Sequence, residues 1–347
     1  MNKTSNKVLL SICIPTFNRT DCLKNCLNSI LIAKKNYNFN FEVCVSDNCS
    51  TIKIESIINK YQRYYKIRFN KNKSNIGLGA NILKAVSLAR GQFVWILGND
   101  DLLMPYTFKY IDKLLKKKNK IDFFYVNSYH LDSSFVFKHK QPFNIKNLPK
   151  KMNKFSTYPE CFETDFLNLV DYNISFDFLL GMFLAIFKKE NWDKSLFRIN
   201  QKSLKNKNTF STFDNTAPHI IVWSEGFKNS KAYFHAKPLS VNLYGVREWI
   251  DLYPFVESIR IPEALYYYRL AGLTFLKYCK NKNYALRSLI LNLIKIYFFK
   301  NIEGSKYIKV RTHIISNLLY PSIYYGFVYF VIKKILRILK NYFELLR

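Results

Sequence analysis

Acidic residues are scarce in this chain of 347 residues. Only 24 Asp and Glu stand against 54 Lys and Arg, which gives a formal net charge of +30 at pH 7. Such an excess favours anionic partners, a class that includes nucleic acid, acidic lipid and phosphorylated substrates. Because the sequence also lacks a recognition helix, a zinc finger and an RNA-binding signature, no nucleic-acid partner is expected. Membrane surfaces and sugar phosphates are the preferred classes.

Cysteine pairs with metal-binding or redox spacing are missing as well. The seven cysteines form no C-x-x-C pair and no pattern with histidine, which argues against a structural zinc site. Cys13 and Cys44 lie in apolar runs, where cysteine behaves as a small core residue. The odd number of cysteines and the absence of a signal peptide predict a reducing, cytoplasmic location.

The uncharged run at residues 318–332 is shorter than the roughly 20 residues that a membrane-spanning helix needs. The segment after it repeats apolar residues at helical spacing. It carries Lys333, Lys334, Arg337 and Lys340. This pattern predicts a peripheral position on the anionic inner face of the cytoplasmic membrane. The alternative is a helical subdomain that packs against the rest of the protein.

Short apolar runs alternate with amphipathic segments in the first part of the chain. The predicted strands are 8–14, 41–46, 66–69 and 93–97, with helices at 20–31, 52–64 and 81–90 between them. This β-α-β-α-β-α-β order with short connections is the signature of an α/β protein, a parallel sheet with helices on its faces.

Polar residues follow three of these strands, at 16–19, 47–50 and 99–101. Open α/β sheets bind ligands at the carboxyl edge of their strands, so the three clusters predict one cleft. Asp100 and Asp101 are adjacent carboxylates that repel each other unless a cation or donor groups offset the charge. The segment from Asn75 to Gly79 lacks the Lys and Ser/Thr of a P-loop and does not match G-x-G-x-x-G. It predicts a turn and a helix start that could face an anion.

Four motifs together resemble the family 2 glycosyltransferases of the GT-A fold. They are L-S-I-C-I-P-T-F-N-R (10–19), V-S-D-N-C-S (45–50), N-I-G-L-G-A-N (75–81) and A-R-G-Q-F-V-W-I-L-G-N-D-D (89–101), with a later Pro105. The resemblance covers the first third of the chain well and the next part loosely. Within the family, L-G-N-D-D resembles enzymes that add deoxy or dideoxy sugars to bacterial surface polysaccharides, such as abequosyltransferases.

The resemblance implies a Rossmann-like, nucleotide-diphospho-sugar transferase fold over residues 1–245, with a nucleotide-sugar half (1–128) and an acceptor half (129–245). Residues 246–347 would be a C-terminal helical extension. It further implies an inverting transfer from a nucleoside diphosphate sugar to a glycan or lipid-linked glycan acceptor. The residues expected to bind the donor are Pro15, Thr16, Asn18, Arg19, Asp47, Asn75, Gly77 and Asn99.

The D-x-D element of the family coordinates Mg²⁺ or Mn²⁺ that bridges the donor diphosphate. Counted back from Pro105, its positions fall on Gly98, Asn99 and Asp100, so Asp100 matches the metal ligand and Gly98 replaces the first acid. Mg²⁺ commonly uses one or two protein carboxylates beside substrate phosphates, so one remaining acid is sufficient. Asp101 is either a second ligand or the cap of the helix near Pro105.

An inverting transfer needs a general base for the acceptor hydroxyl. The family often supplies it from an E-D pair that opens a later helix, and residues 211–223 hold no such pair. Asp214 and His219 are the candidates, with Asp193 or another group as the alternative. Asp214 as a helix cap and His219 as an ordinary helix residue are the structural interpretations. A catalytically inactive sugar-nucleotide-binding protein on the same fold, and more weakly a nucleotidyltransferase, are the competing functions.

The remaining segments are predicted more coarsely. A strand is expected at 121–128, continuing as a hairpin over 129–137, then a mobile excursion over 138–158. A buried segment is expected at 177–187, a basic loop at 201–208, and helices at 265–278, 286–299 and 307–319.

Overall fold

The computed structural model describes residues 8–118, 120–245, 250–298 and 303–345. The chain divides into two compact units, residues 1–247 and 248–347. The predicted boundary after residue 245 adjoins residues 246–249, which lie outside the described part of the chain. The line expected between two halves at residue 128 falls inside a single strand, Phe123–Asp132.

The first unit is built on one sheet. Its strands are β1 (Leu10–Thr16), β2 (Phe41–Asp47), β3 (Ile67–Lys71), β4 (Phe93–Ile96), β5 (Asp101–Leu103), β6 (Phe123–Asp132), β7 (Asn153–Lys154), β8 (Phe162–Asp165), β9 (Ala185–Lys188) and β10 (Lys231–Tyr244). Every residue of β1, β2 and β4 is buried, as expected for central strands that helices cover on both faces.

Helices connect these strands and cover the sheet. They are α1 (Thr20–Asn36), α2 (Glu55–Gln62), α3 (Leu78–Ser87), α4 (Thr107–Lys117), α5 (Ser133–Phe137), α6 (Lys189–Ser195), α7 (Gln201–Lys205), α8 (Phe213–Thr216) and α9 (Pro218–Gly226). The apolar stripe predicted for the first helix is buried at Leu23, Leu27 and Ile30, whereas Leu31 is only partly buried.

The strand order is β3-β2-β1-β4-β9-β6-β10-β5, with β7 beside β6 and β8 beside β10. The parallel arrangement predicted for the first four strands is confirmed. The remainder of the sheet is mixed, because β9 runs antiparallel to both β4 and β6. The long strand β10 changes register between His235 and Ser240, around Pro238, whose nitrogen has no hydrogen to donate to a neighbouring strand.

Three predictions for the middle of the chain are wrong. The strand at Phe123 extends to Asp132 and is followed by α5, so there is no hairpin at 129–137. The segment 138–158 is not a free excursion: Phe143 and Ile145 join a buried cluster with Val241 and Leu243, because burial of their apolar side chains holds the backbone on the sheet. Helix α7 occupies most of the predicted loop at 201–208, capped by the side chain of Asn200.

The second unit is helical. Helix α10 (Tyr253–Phe255) continues through a π-helical turn at Val256–Arg260 into α11 (Ile261–Leu270), followed by α12 (Phe275–Ala285), α13 (Leu289–Phe298) and α14 (Ser322–Leu345). The predicted helix at 307–319 is instead a series of short π and 3₁₀ turns at Val310–Ile314 and Ile315–Asn317. Among the described residues, no single helix is long and apolar enough to span a membrane. One pair, Val310–Asn317 and Ser322–Ile338, meets that criterion together by length and composition, across a bend of 79°.

Candidate active site

The carboxyl ends of β1, β2 and β4 meet at one edge of the sheet, and the predicted polar clusters meet there. Thr16 lies opposite Asp47 in the parallel register of β1 and β2. The Asn99 side chain donates a hydrogen bond of 2.7 Å to Thr16 Oγ1, which ties the third cluster to the first. The backbone amide of Asn48 donates to the Thr16 carbonyl at 2.9 Å. The sequence correctly predicted that these segments share an edge.

Hydrogen bonds connect the turn after β1 to the turn after β2. Asn18 adopts a left-handed conformation, with φ of 49°, a conformation that asparagine tolerates better than most residues. Its amide donates to Ser50 Oγ at 2.8 Å, while its side-chain Oδ1 accepts from the amide of Thr51 at 2.9 Å. Asn18 therefore holds the loop in place through Ser50, which belongs to the predicted cluster, and through Thr51, which the sequence interpretation did not name.

Asp47 is fully buried at the end of β2, and only one of its carboxylate oxygens is occupied. Oδ1 accepts hydrogen bonds from the amide and the hydroxyl of Ser50, at 3.1 and 2.5 Å. Oδ2 has no hydrogen-bond partner among the described residues. A buried carboxylate oxygen without a donor is costly, so this atom fits an N–H or O–H group supplied by a bound molecule.

The turn before α3 lies beside this carboxylate. The Asn48 amide group donates to Asn75 Oδ1 at 2.8 Å, and Asn48 Oδ1 accepts from the amide of Ile76 at 2.9 Å. Asn75 Oδ1 also accepts from the amide of Gly77, whose φ of 86° favours glycine. The Asn75 side chain is thus occupied in shaping the turn, and α3 begins immediately after Gly77.

The two adjacent acids have different partners. Asp100 Oδ2 lies 3.5 Å from Arg19 Nη1, and both side chains are largely buried. Asp101 instead begins β5, where Oδ2 accepts from the amide of Gly98 at 2.7 Å and Oδ1 accepts from the Asn242 side chain at 2.7 Å. The expectation that Asp101 caps the following helix is wrong, because α4 begins at Thr107 after Tyr106 and the carboxylate is held within the sheet.

Glycine at position 98 has a steric reason. A Cβ atom there would collide with Asp100 Oδ1 and lie 3.0 Å from Asp101 Oδ2. Because both carboxylates fold back over this residue, the first acid of a D-x-D element cannot be accommodated without moving them. Pro15 completes the strand end and is itself part of β1.

Asp214 lies on α8, against the start of α3. A Cβ on Gly79 would approach the Asp214 carbonyl oxygen to 2.9 Å, which shows how closely the two helices pack. Asp214 Oδ1 accepts from the amide of Asn200 at 2.8 Å, and burial raises the pKa of the carboxyl group. The interpretation of Asp214 as the helix cap is wrong, since the cap is Thr212, which forms a reciprocal capping box with Asn215.

His219 lies inside the protein on α9. Its ring is only 3% exposed, and its Nε2 lies 2.9 Å from the Leu180 carbonyl oxygen, a geometry in which Nε2 carries the hydrogen. Burial lowers the pKa of His219 to about 4, so the ring is neutral at neutral pH. Because Nε2 is occupied by this carbonyl group and the ring packs against Trp223, the geometry favours the structural interpretation of His219.

The first part of the chain is similar to known glycosyltransferases. The family model described as "Glycosyl transferase family 2" matches residues 11–177. The abequosyltransferase RfbV of Salmonella typhimurium is 43% identical over 98 residues, which are 28% of this chain and 29% of that protein. The uncharacterized glycosyltransferase MJ1057 of Methanocaldococcus jannaschii is 27% identical over 260 residues, covering 66% of this chain and 88% of the relative.

A solved structure shares the fold. The structure of Staphylococcus aureus TarS 1-349 in complex with UDP-GlcNAc superposes with a TM-score of 0.56 at 16% identity, over 86% of this chain and 78% of that one. Residues 11–177, just under half of the chain, match the family 2 glycosyltransferase model, and the chain shares the GT-A fold of TarS. The resemblance noted from the four sequence motifs is confirmed.

The glycosyltransferase domain also contains an acid that the sequence interpretation left unassigned. Asp177 is buried before β9, where its carboxylate accepts from Ser175 Oγ at 2.6 Å and from the amide of Gly181 at 2.7 Å. Burial raises its pKa. It holds a turn in which Phe178 and Leu179 both have positive φ, a sparsely populated conformation for such residues. Because β9 runs antiparallel to β4, this turn lies towards the carboxyl end of β4.

The family resemblance implies a divalent metal at this edge of the sheet. Within the described ranges, no group of three or more His, Cys, Asp or Glu side chains could hold a metal ion. Both carboxylate oxygens of Asp101 already accept hydrogen bonds, which leaves Asp100 as the available ligand. One carboxylate together with donor phosphates is a set that Mg²⁺ accepts. The residues fit a metal that is held largely by the substrate.

Proposed function

We propose that this glycosyltransferase moves a hexosyl or deoxyhexosyl group from a nucleoside diphosphate sugar to a hydroxyl of a glycan acceptor, with inversion at the anomeric carbon. The observation that carries the proposal is Asp47 Oδ2, a buried acceptor without a partner at the edge that also holds Arg19 and Asp100. A nucleoside offers N–H and O–H donors for this oxygen, and a diphosphate offers negative charge for the guanidinium. TarS was solved with UDP-GlcNAc, so uridine nucleotides are the first donors to test.

The chemistry divides among the residues of this chain. Arg19 would pair with the diphosphate, releasing the Asp100 carboxylate that it contacts. Mg²⁺ or Mn²⁺, held by Asp100 and the donor, would supply positive charge to the leaving group. The acceptor oxygen attacks the anomeric carbon as the bond to the diphosphate breaks, and its proton goes to a carboxylate.

We assign that proton to Asp214. Its position on α8 against the start of α3 brings it towards the predicted donor edge, and its raised pKa makes it a stronger base than an exposed aspartate. Asp193 is the weaker candidate because it forms an i,i+4 ion pair with Lys189 on α6 and is half exposed.

The acceptor in this proposal is a lipid-linked glycan of bacterial surface polysaccharide synthesis. The similarity to an abequosyltransferase and the L-G-N-D-D motif support this class. A cytoplasmic location belongs to the same proposal, and it is supported by the seven cysteines, all of which are free thiols in the structure.

The experiment is a thermal-shift screen of UDP-, GDP-, CDP- and dTDP-sugars with and without Mn²⁺, followed by turnover of the donor that binds. Asp47→Asn should weaken binding of that donor by about tenfold or more, because a charged hydrogen bond is lost. Asp112→Asn is the matched control. Asp112 lies on α4 and is also buried, but its carboxylate accepts hydrogen bonds from the Tyr37 hydroxyl and from Lys116. Equal donor affinity in Asp47→Asn and the native chain would contradict the assignment.

A second candidate function is a sugar-nucleotide-binding protein without catalysis. It is favoured by the engaged carboxylate of Asp101 and by the absence of an E-D pair at residues 211–223. Donor binding that is never followed by turnover, across lipid-linked and soluble acceptors, would support it over the transferase.

A further inference from the structure

Over residues 322–338, whose side chains the structure describes, helix α14 contacts the rest of the second unit near its beginning. The amide of Ser322 donates to Asn283 Oδ1 at 3.0 Å, and Ile323 is fully buried. Gly326 packs so closely on the turn after α12 that a Cβ there would collide with the Arg287 carbonyl oxygen. These contacts fix the direction in which the helix leaves the unit.

Every residue from 328 to 338 is exposed, on all sides of the helix. The exposed residues are mostly large and apolar; Tyr329 is 66% exposed and Leu336 is 60% exposed. Water-soluble proteins rarely leave a contiguous apolar surface of this kind free, so it indicates a binding surface.

The charges on this stretch all have one sign. Lys333, Lys334 and Arg337 are the charged residues of 322–338, and no acid occurs there. At 100° per residue, Lys333, Lys334 and Arg337 fall within about 100° of one another, whereas Val328, Ile332 and Ile335 fall on the opposite side of the helix. A basic face opposite an apolar face, with tyrosines nearby, is the composition of helices that lie in the headgroup region of anionic membranes.

We propose that residues 324–338 of α14 dock on a bilayer of anionic phospholipid. The apolar side enters the acyl boundary, and Lys333, Lys334 and Arg337 face the lipid phosphates. A second copy of this helix fits less well, because two identical basic stretches without acids would repel each other. This surface is independent of the donor site, so the proposal does not depend on the transferase chemistry.

The test is sedimentation of the full chain with vesicles of phosphatidylcholine, with and without phosphatidylglycerol. We expect binding to the anionic vesicles that weakens as salt rises, because headgroup attraction is screened. The triple variant Lys333→Glu, Lys334→Glu, Arg337→Glu should bind them at least about 100-fold more weakly. The double variant Ile332→Asp, Ile335→Asp, on the apolar side, should also lose binding.

The matched control reverses three exposed lysines of the first unit, Lys146, Lys150 and Lys151. It lowers the net charge from +30 by the same six units, to +24, and should sediment like the native chain. Equal loss in the control would show that total charge alone drives binding and would overturn the assignment to α14. Equal binding to neutral vesicles, or a dimer in sedimentation equilibrium that has no lipid affinity, would overturn it as well. Unchanged far-ultraviolet circular dichroism and thermal midpoints in both triple variants would show that they fold.

Discussion

Arg19 Nη1 lies 3.5 Å from Asp100 Oδ2, so the carboxylate expected to bind a metal is paired with a guanidinium. Both groups are largely buried, and the pairing offsets the cost of holding either charge away from water. A bound nucleoside diphosphate provides an alternative partner for Arg19, because a guanidinium binds phosphate at least as well as carboxylate. We therefore expect this pair to couple donor binding to the availability of Asp100.

This coupling predicts opposite effects on metal and donor when Arg19 is removed. In Arg19→Ala, Asp100 loses a competing cation, so affinity for Mn²⁺ alone should rise. Affinity for the donor should fall by about tenfold or more, because a charged contact to the diphosphate is lost. Isothermal titration calorimetry with Mn²⁺ alone, with the donor alone and with both together measures each affinity and the coupling between them. A fall in both affinities would contradict the coupling.

Restoring the missing acid of the D-x-D element should impair the protein. Gly98→Asp and Gly98→Ala both add a Cβ that collides with Asp100 Oδ1. We expect each to destabilise the fold by about 1–3 kcal/mol and to reduce turnover, because Asp100 is displaced. The two variants should behave alike if the Cβ atom is the cause. Higher turnover in Gly98→Asp would show instead that a second carboxylate can be accommodated.

Protonation of His219 should make the fold less stable in acid. Its pKa is lowered by burial to about 4 from an ordinary value of 6.5, so the unfolded chain binds the proton first as pH falls. The contribution of the neutral His219 ring to the free energy of unfolding is therefore complete above pH 6.5. It decreases as the pH falls towards 4, by about 3 kcal/mol at most. His235, whose pKa is also lowered to about 4, adds a term of the same sign.

His219→Gln isolates the first of these two terms. Gln can still donate to the Leu180 carbonyl but does not titrate, so the thermal midpoint should depend less steeply on pH between 4 and 6.5. Near-ultraviolet circular dichroism measures this midpoint at each pH. A variant whose midpoint follows pH as steeply as that of the native chain would show that His219 is not the group responsible.

The meeting of the polar clusters at one edge of the sheet was predictable from sequence, because the carboxyl ends of parallel strands lie at the same edge. Once β1, β2 and β4 are parallel, the residues after them must share an edge, which brought Thr16, Asp47 and Asn99 together as expected. The partners of Asp101 were not predictable in this way. Asp101 was interpreted as a helix cap because of its spacing from the next helix. Its partner Asn242 lies on β10, far along the chain, and is brought opposite Asp101 by the pairing of β10 with β5.

The mixed half of the sheet was missed for a related reason. Strand β9 has four residues in a longer apolar segment, and no periodicity distinguishes a short antiparallel strand from other buried chain. The turn held by Asp177 was hidden for the same reason, because its hydrogen bonds go to nearby backbone amides within that apolar segment.

Replacement of Asp214 by asparagine should abolish turnover while leaving donor affinity intact. Asparagine can still accept from the Asn200 amide, so α8 keeps its contact, but it cannot take up a proton. We expect kcat to fall by about 10²–10⁴, the usual contribution of a general base. Because burial raises the pKa of Asp214, native activity should rise with pH through a value above the ordinary aspartate range. Asp193→Asn is the matched control and should change kcat by less than about twofold, since its exposed ion pair with Lys189 contributes little. If Asp193→Asn loses activity and Asp214→Asn retains it, the base lies on α6 and the assignment to α8 is wrong.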